Sequence, residues 1–136
     1  NVAGANWVLI GDAAGCVNTL NWEGIDYGLE TGHLAANLFA STIVNPATNY
    51  TNVWPRELLA HYGTAFSIAR RLAGLITVPK LLPTLGPIGM RSQFLMTIAL
   101  RVMGNLITPE DKDATARLWN FAGRRSIKLD ERPPFS

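Results

Sequence analysis

Cysteine is nearly missing from this chain: Cys16 is the only one in 136 residues. A single thiol excludes an internal disulfide framework and a cysteine-built zinc site, and it suits a reducing compartment. Positive charge is missing from the first 55 residues, because every Lys and Arg lies at or after Arg56. The opening residues have neither a charged n-region nor an apolar h-region, so they do not read as a secretory signal. The sequon Asn49-Tyr50-Thr51 is then read as chance. The most apolar stretch, residues 92–107, is too short and too interrupted by Arg101 and Gly104 to span a bilayer. No metal site is assigned.

What charge there is sits unevenly. The net charge is +2, yet from Arg56 onward twelve basic residues face six acidic ones, a net of +6. Basic residues among apolar helices suit an anionic membrane surface or a phosphorylated substrate, with an ordinary solvated helical surface as the plain alternative. Nucleic acid is excluded as a partner, since the cations are scattered and no binding motif accompanies them.

The informative stretch runs from Trp7 to Ala36. Trp7, Val8, Leu9 and Ile10 form a continuous apolar run, which predicts a central parallel strand buried on both faces. Gly11 then permits a tight turn, and Asp12 stands where a strand end meets a crevice. Ala13, Ala14 and Gly15 leave the backbone open to a ligand. From Gly24 a helix is expected to about Ser41. Its residues Gly24, Gly28, Gly32, Ala36 and Ala40 make a stripe with almost no side chain, as close packing requires. A strand this near the first residue has no neighbours to pair with, so the chain reads as part of a longer protein or as a trimmed mature one.

Beyond this stretch, residues 45–55 read as a turn-rich connector and Arg56–Leu75 as an amphipathic helix. Residues 77–89, with three prolines, read as a broken apolar loop. Residues 92–107 read as a buried helix, with a monotopic helix or the wall of an apolar tunnel as alternatives. Thr108-Pro109-Glu110-Asp111 signals a helix start, with that helix ending near Gly123, and residues 124–136 read as a polar tail.

The segment LIGDAAGCVNTLNWEGIDYGLETGHLAA resembles the second FAD-binding motif of the p-hydroxybenzoate hydroxylase superfamily, and within it the geranylgeranyl reductase family. Those proteins typically read GDAAG, a short loop near NPxxGEGI, and a Gly/Ala-rich helix. Residues 62–111 look like the helical C-terminal part of actinobacterial members, reductases of menaquinone among them. The resemblance implies an α/β flavoprotein fragment: the last strand and helix of a Rossmann-like FAD-binding domain (residues 1–45), then a mostly α-helical region (46–136) that lines a lipid pocket. It implies FAD as cofactor, with Gly11 placing Asp12 to hydrogen-bond a ribityl hydroxyl. Gly24 and Ile25 would present helix-start N–H groups to the flavin ring. The implied activity is reduction of a C=C bond in a polyprenyl lipid, such as a geranylgeranyl group or a menaquinone side chain. The electron donor would be NAD(P)H or a redox protein, and the location cytoplasmic and peripheral at the inner face of the cell membrane. The GxGxxG fingerprint of the family is absent.

Two positions depart from the family. Thr19 stands where proline is common, and Trp22 where glycine is usual. A tryptophan at a position needing positive φ is strained; alternatively it covers the ring. No catalytic residue emerges: His33 and His61 are general acids by type only, and each reads as structural or exposed. Two other readings stay open, a flavin monooxygenase acting on an apolar substrate and a non-catalytic fragment that binds membranes or a partner.

Overall fold

A computed structural model describes residues 1–44, 48–104, 107, 111–131 and 134–135. Among the described residues there are a 3-10 turn, Gly11–Ala14, and five helices: α1 (Ile25–Thr42), α2 (Tyr50–Ile76), α3 (Leu81–Arg91), α4 (Gln93–Met103) and α5 (Ala114–Leu129).

The α/β expectation is corrected: no strand occurs among the described residues, and so no Rossmann strand. The apolar run 7–10 instead doubles back on residues 2–4. Ala3 and Val8 make an isolated antiparallel bridge, and the Leu9 N–H donates to the Val2 carbonyl at 2.8 Å. The physical reason is local. Trp7 and Ile10 stay largely exposed, while Val2, Val8 and Leu9 pack against a helical core rather than between two strands. A run of four apolar residues satisfies either arrangement, and periodicity cannot separate them.

That core is built around α2. Trp54 and Leu58 are fully buried with Ala3, Ala14, Cys16, Tyr27, Ala35, Tyr62 and Phe66. The Trp54 indole N–H donates to the Leu9 carbonyl at 2.8 Å, which fixes the N-terminal segment to α2. Tyr27 meets Tyr62 and Phe66 edge to face, with centroids 5.6 and 5.0 Å apart, so α1 is held to α2 by an aromatic cluster.

Helix α5 packs on α2 at very close range. A Cβ on Gly123 would stand 2.0 Å from Thr64 Cγ2 and 3.0 Å from Ile68 Cδ1, so only glycine fits there. Beside this contact lies a polar chain. Arg71 Nε donates to Ser126 Oγ, Ser126 and Ser67 share a 2.6 Å hydrogen bond, and Ser67 donates to Asp130. Arg70 and Arg71 close the network on the same carboxylate. The expected tail is thus helical through Leu129, because residues 126 and 130 belong to this buried network while Arg124, Arg125 and Lys128 stay on the open face.

Other boundaries also moved. Asn45–Ala47 of the expected connector lie outside the described residues, and its remainder enters α2, which Asn49 caps by accepting from the Thr51 N–H. The expected loop at 77–89 is largely α3. Pro83 falls in the first helical turn, where an N–H has no partner anyway, and Pro87 removes one bond from an exposed helix. The start signal Thr108–Glu110 lies outside the described residues; Asp113 caps α5 by accepting from the Ala116 N–H at 2.8 Å. Helix α4 is not the buried helix expected, for neither α3 nor α4 buries a residue.

Candidate functional site

Sequence reasoning pointed to Gly11, Asp12, Gly24 and Ile25, and these residues come together where the 3-10 turn meets the start of α1. The turn is held down at its first residue. Gly11 has φ +53°, its N–H donates to Thr31 Oγ1 at 2.9 Å, and its carbonyl accepts from the Cys16 N–H. Thr31, fully buried, donates in turn to the Tyr27 carbonyl, which anchors the turn one helical turn into α1. A Cβ on Gly11 would lie 3.2 Å from the Gly28 Cα, so the two backbones nearly touch.

This docking places the exposed Asp12 carboxylate above the helix start. A Cβ on Gly24 would stand 2.8 Å from Asp12 Oδ1, so the glycine there makes room for the carboxylate. Gly24 is the N-cap of α1 and no side chain caps that first turn, unlike α2, α4 and α5. Ile25 follows with 83% of its surface exposed. Along the small-residue stripe, the Gly28 Cα lies 3.2 Å from where a Gly11 Cβ would stand, a Cβ on Gly24 would meet the end of the Asp12 side chain, and Gly32 has only ordinary contact.

Cys16 sits behind the turn, fully buried; burial first, and the Asp12 charge second, push its thiol up to about 11. It stays neutral at ordinary pH and is a packing residue, not a nucleophile.

The loop from Asn18 to Glu23 closes on itself. The Asn18 N–H donates to the Glu23 carbonyl and the Trp22 N–H to the Asn18 carbonyl, while Asn18 Oδ1 accepts from the Leu20 N–H. Asn21 Nδ2 reaches Met103 O at 2.8 Å and so ties this loop to the end of α4. Trp22 has φ +60° and is 82% exposed. The conformation is the left-handed one that costs a side chain, and among the described residues the ring stands largely open. Trp22→Gly is therefore expected to raise stability by about 0.5–1 kcal/mol, the left-handed penalty less the extra freedom glycine has when unfolded. The denaturation midpoint measures it; a lower midpoint would mean the indole carries contacts that its exposure denies.

The sequence missed Thr31 and the Asn18 and Asn21 turns, whose roles depend on what the loop folds against. It also gave no hint that His33 and His61 line one open groove of about 480 Å³ between α1 and α2, with Leu29, Glu30, Leu34 and Tyr62. There Tyr62 donates to Glu30 at 3.1 Å, and His61 Nδ1 lies 2.9 Å from the Glu57 carbonyl. Neither histidine is shown in contact with Asp12 or Gly24.

No protein-family model matches the chain, and no solved structure does. Among curated proteins it is 60% identical over 135 residues to the menaquinone reductase of Mycolicibacterium smegmatis and 58% identical to that of Mycobacterium tuberculosis. The match takes in 99% of this chain and 32% of each relative. By sequence the chain is similar to these two mycobacterial menaquinone reductases and spans about a third of their length.

Proposed function

We propose that this chain forms part of an FAD-dependent reductase that saturates a C=C bond in a polyprenyl lipid, the side chain of a menaquinone or a geranylgeranyl group. The observation that carries the reading is the Asp12 carboxylate poised over the uncapped start of α1, with Gly24 making the room. The names of the relatives and the flavoprotein motif at residues 9–36 support it.

The residues fit the flavin and ribityl part of such a cofactor. Asp12 would accept a hydrogen bond from a ribityl hydroxyl. The N–H groups at Gly24 and Ile25 would face an anion, and a helix start stabilises negative charge there by about 0.3–2 kcal/mol. Trp22 and Ile25 offer apolar surface beside those donors. When bound, reduced FAD would supply a hydride for one alkene carbon, and a proton would have to reach the other; none of the described residues is assigned as its donor. The electron donor in this reading is NAD(P)H or a redox protein.

Asp12→Ala in the full-length protein tests the assignment. Losing a hydrogen bond to a charged group is expected to weaken flavin binding roughly ten- to a hundredfold, read as flavin absorbance per protein after gel filtration. Unchanged flavin content would refute the site. The substrate class is tested separately by mass spectrometry of polyprenyl saturation in cells lacking the protein.

A further inference from the structure

We infer that the Trp22 indole stacks on the ring system of the bound flavin, a contact that rests on the flavin reading above and that the glycine usual in the family could not make. Among the described residues, only Trp22 and Phe135 hold a positive φ without being glycine, and at Trp22 it is +60°. A side chain in the left-handed region persists only where its surroundings fix it, and such positions cluster at ligand sites.

The loop fixes Trp22 from both sides. Its N–H donates to the Asn18 carbonyl at 2.8 Å, and the Asn18 N–H donates to the Glu23 carbonyl at 2.9 Å. The two neighbours of Trp22 are clasped to each other. Asn21 Oδ1 accepts from the Glu23 N–H at 3.1 Å, and Asn21 Nδ2 donates to Glu23 Oε2 at 2.8 Å. The same amide donates to the Met103 carbonyl, which fastens the loop to the end of α4. None of these bonds uses the indole, so glycine at this position would keep them all without the strain. The loop therefore holds a large ring in place by means that the ring itself does not serve.

What stands beside the ring points to its partner. Consecutive Cα atoms are 3.8 Å apart, so the Trp22 Cα lies at most about 7.6 Å from that of Gly24. Gly24 is the N-cap of α1, has no side-chain cap of its own, and makes room for the Asp12 carboxylate. Helix-start N–H groups need acceptors, and an indole needs a flat apolar partner. A flavin ring offers both at once: a conjugated face, and an N1 and O2 edge that gains negative charge on reduction. A polyprenyl chain brings no acceptor. An apolar protein segment seated on the indole would bury those N–H groups without partners.

The test is titration of the full-length apoprotein with FAD, followed by flavin fluorescence, for wild type, Trp22→Gly and Trp22→Phe. Trp22→Gly is expected to weaken binding about three- to tenfold, the range of an aromatic stacking contact. It should also brighten the bound flavin, because a stacked indole quenches flavin emission. Trp22→Phe keeps an aromatic ring and should keep most of the affinity. Denaturation of the apo forms is read alongside, and Trp22→Gly, relieved of its strain, should unfold no earlier than wild type. A variant at least as stable that binds flavin more weakly is the signature of a ligand contact rather than a structural one. Unchanged affinity and emission in Trp22→Gly overturn the inference. So does an apo form that unfolds earlier, which would put the ring against another part of the whole protein. Either result leaves the flavin reading standing where Asp12→Ala lowers flavin content, whereas a wild-type protein that takes up no FAD refutes both.

Discussion

Replacing Trp54 with alanine is expected to lower stability by about 3–5 kcal/mol, a large share of the roughly 5–15 kcal/mol available to a domain of this kind. Trp54 is fully buried in one core cluster with Ala3 of the N-terminal segment and Ala14 of the 3-10 turn, and its indole N–H holds the Leu9 carbonyl. Truncation removes a large apolar volume and leaves a cavity that neighbours on separate segments cannot easily fill. It also removes the partner of the Leu9 carbonyl. Trp54→Phe narrows the comparison, because it keeps a buried six-membered ring and removes the N–H with the rest of the indole, for about 1–3 kcal/mol. Chemical denaturation of both variants reads the split. A loss below about 1.5 kcal/mol for Trp54→Ala would show that the N-terminal segment is not fastened through this residue.

That fastening also explains why the fold class was misread. Four consecutive apolar residues fit a two-sided strand, and nothing in Trp7–Ile10 says that Trp54, 45 positions away, will take the Leu9 carbonyl. A strand needs a partner strand and the described residues offer none; the carbonyl found an indole instead. By contrast, the start of α1 was legible to within a residue. Gly24 followed by an amphipathic run is a local signal, and helix caps are decided locally. The positive φ of Trp22 was partly legible, through the glycine usual at that position in the family. The prolines of α3 misled for a specific reason. Proline is a strong loop signal in general, but at the first turn it costs a helix nothing. The exposure of α4 was illegible: a sequence apolar on nearly every face looks buried, and only the fold shows that among the described residues α4 buries none of its own.

Gly11 gives the sharpest test of how the candidate site is built, and Gly11→Val is expected to cost about 3 kcal/mol or more. Two terms add. At φ +53° a side chain pays the left-handed penalty of about 1–2 kcal/mol, with a β-branched one at the upper end. The new Cβ would also stand 3.2 Å from the Gly28 Cα, and that atom is backbone, unable to swing aside. Relief requires the turn to lift off α1, which breaks the Gly11 N–H bond to Thr31 and leaves a buried donor open, for another 1–3 kcal/mol. Gly15→Ala is the control. Gly15 has φ +73° but no atom within 4 Å of a Cβ, so it isolates the conformational term at about 1–2 kcal/mol. The lifted turn carries Asp12 with it. Gly11→Val should therefore also lower the flavin content of the full-length protein, whereas Gly15→Ala should leave most of it. Denaturation midpoints and flavin absorbance on the same samples make the comparison. If the two variants cost the same, the approach of Gly11 to Gly28 is looser than 3.2 Å implies, and α1 does not hold Asp12 in place through this contact.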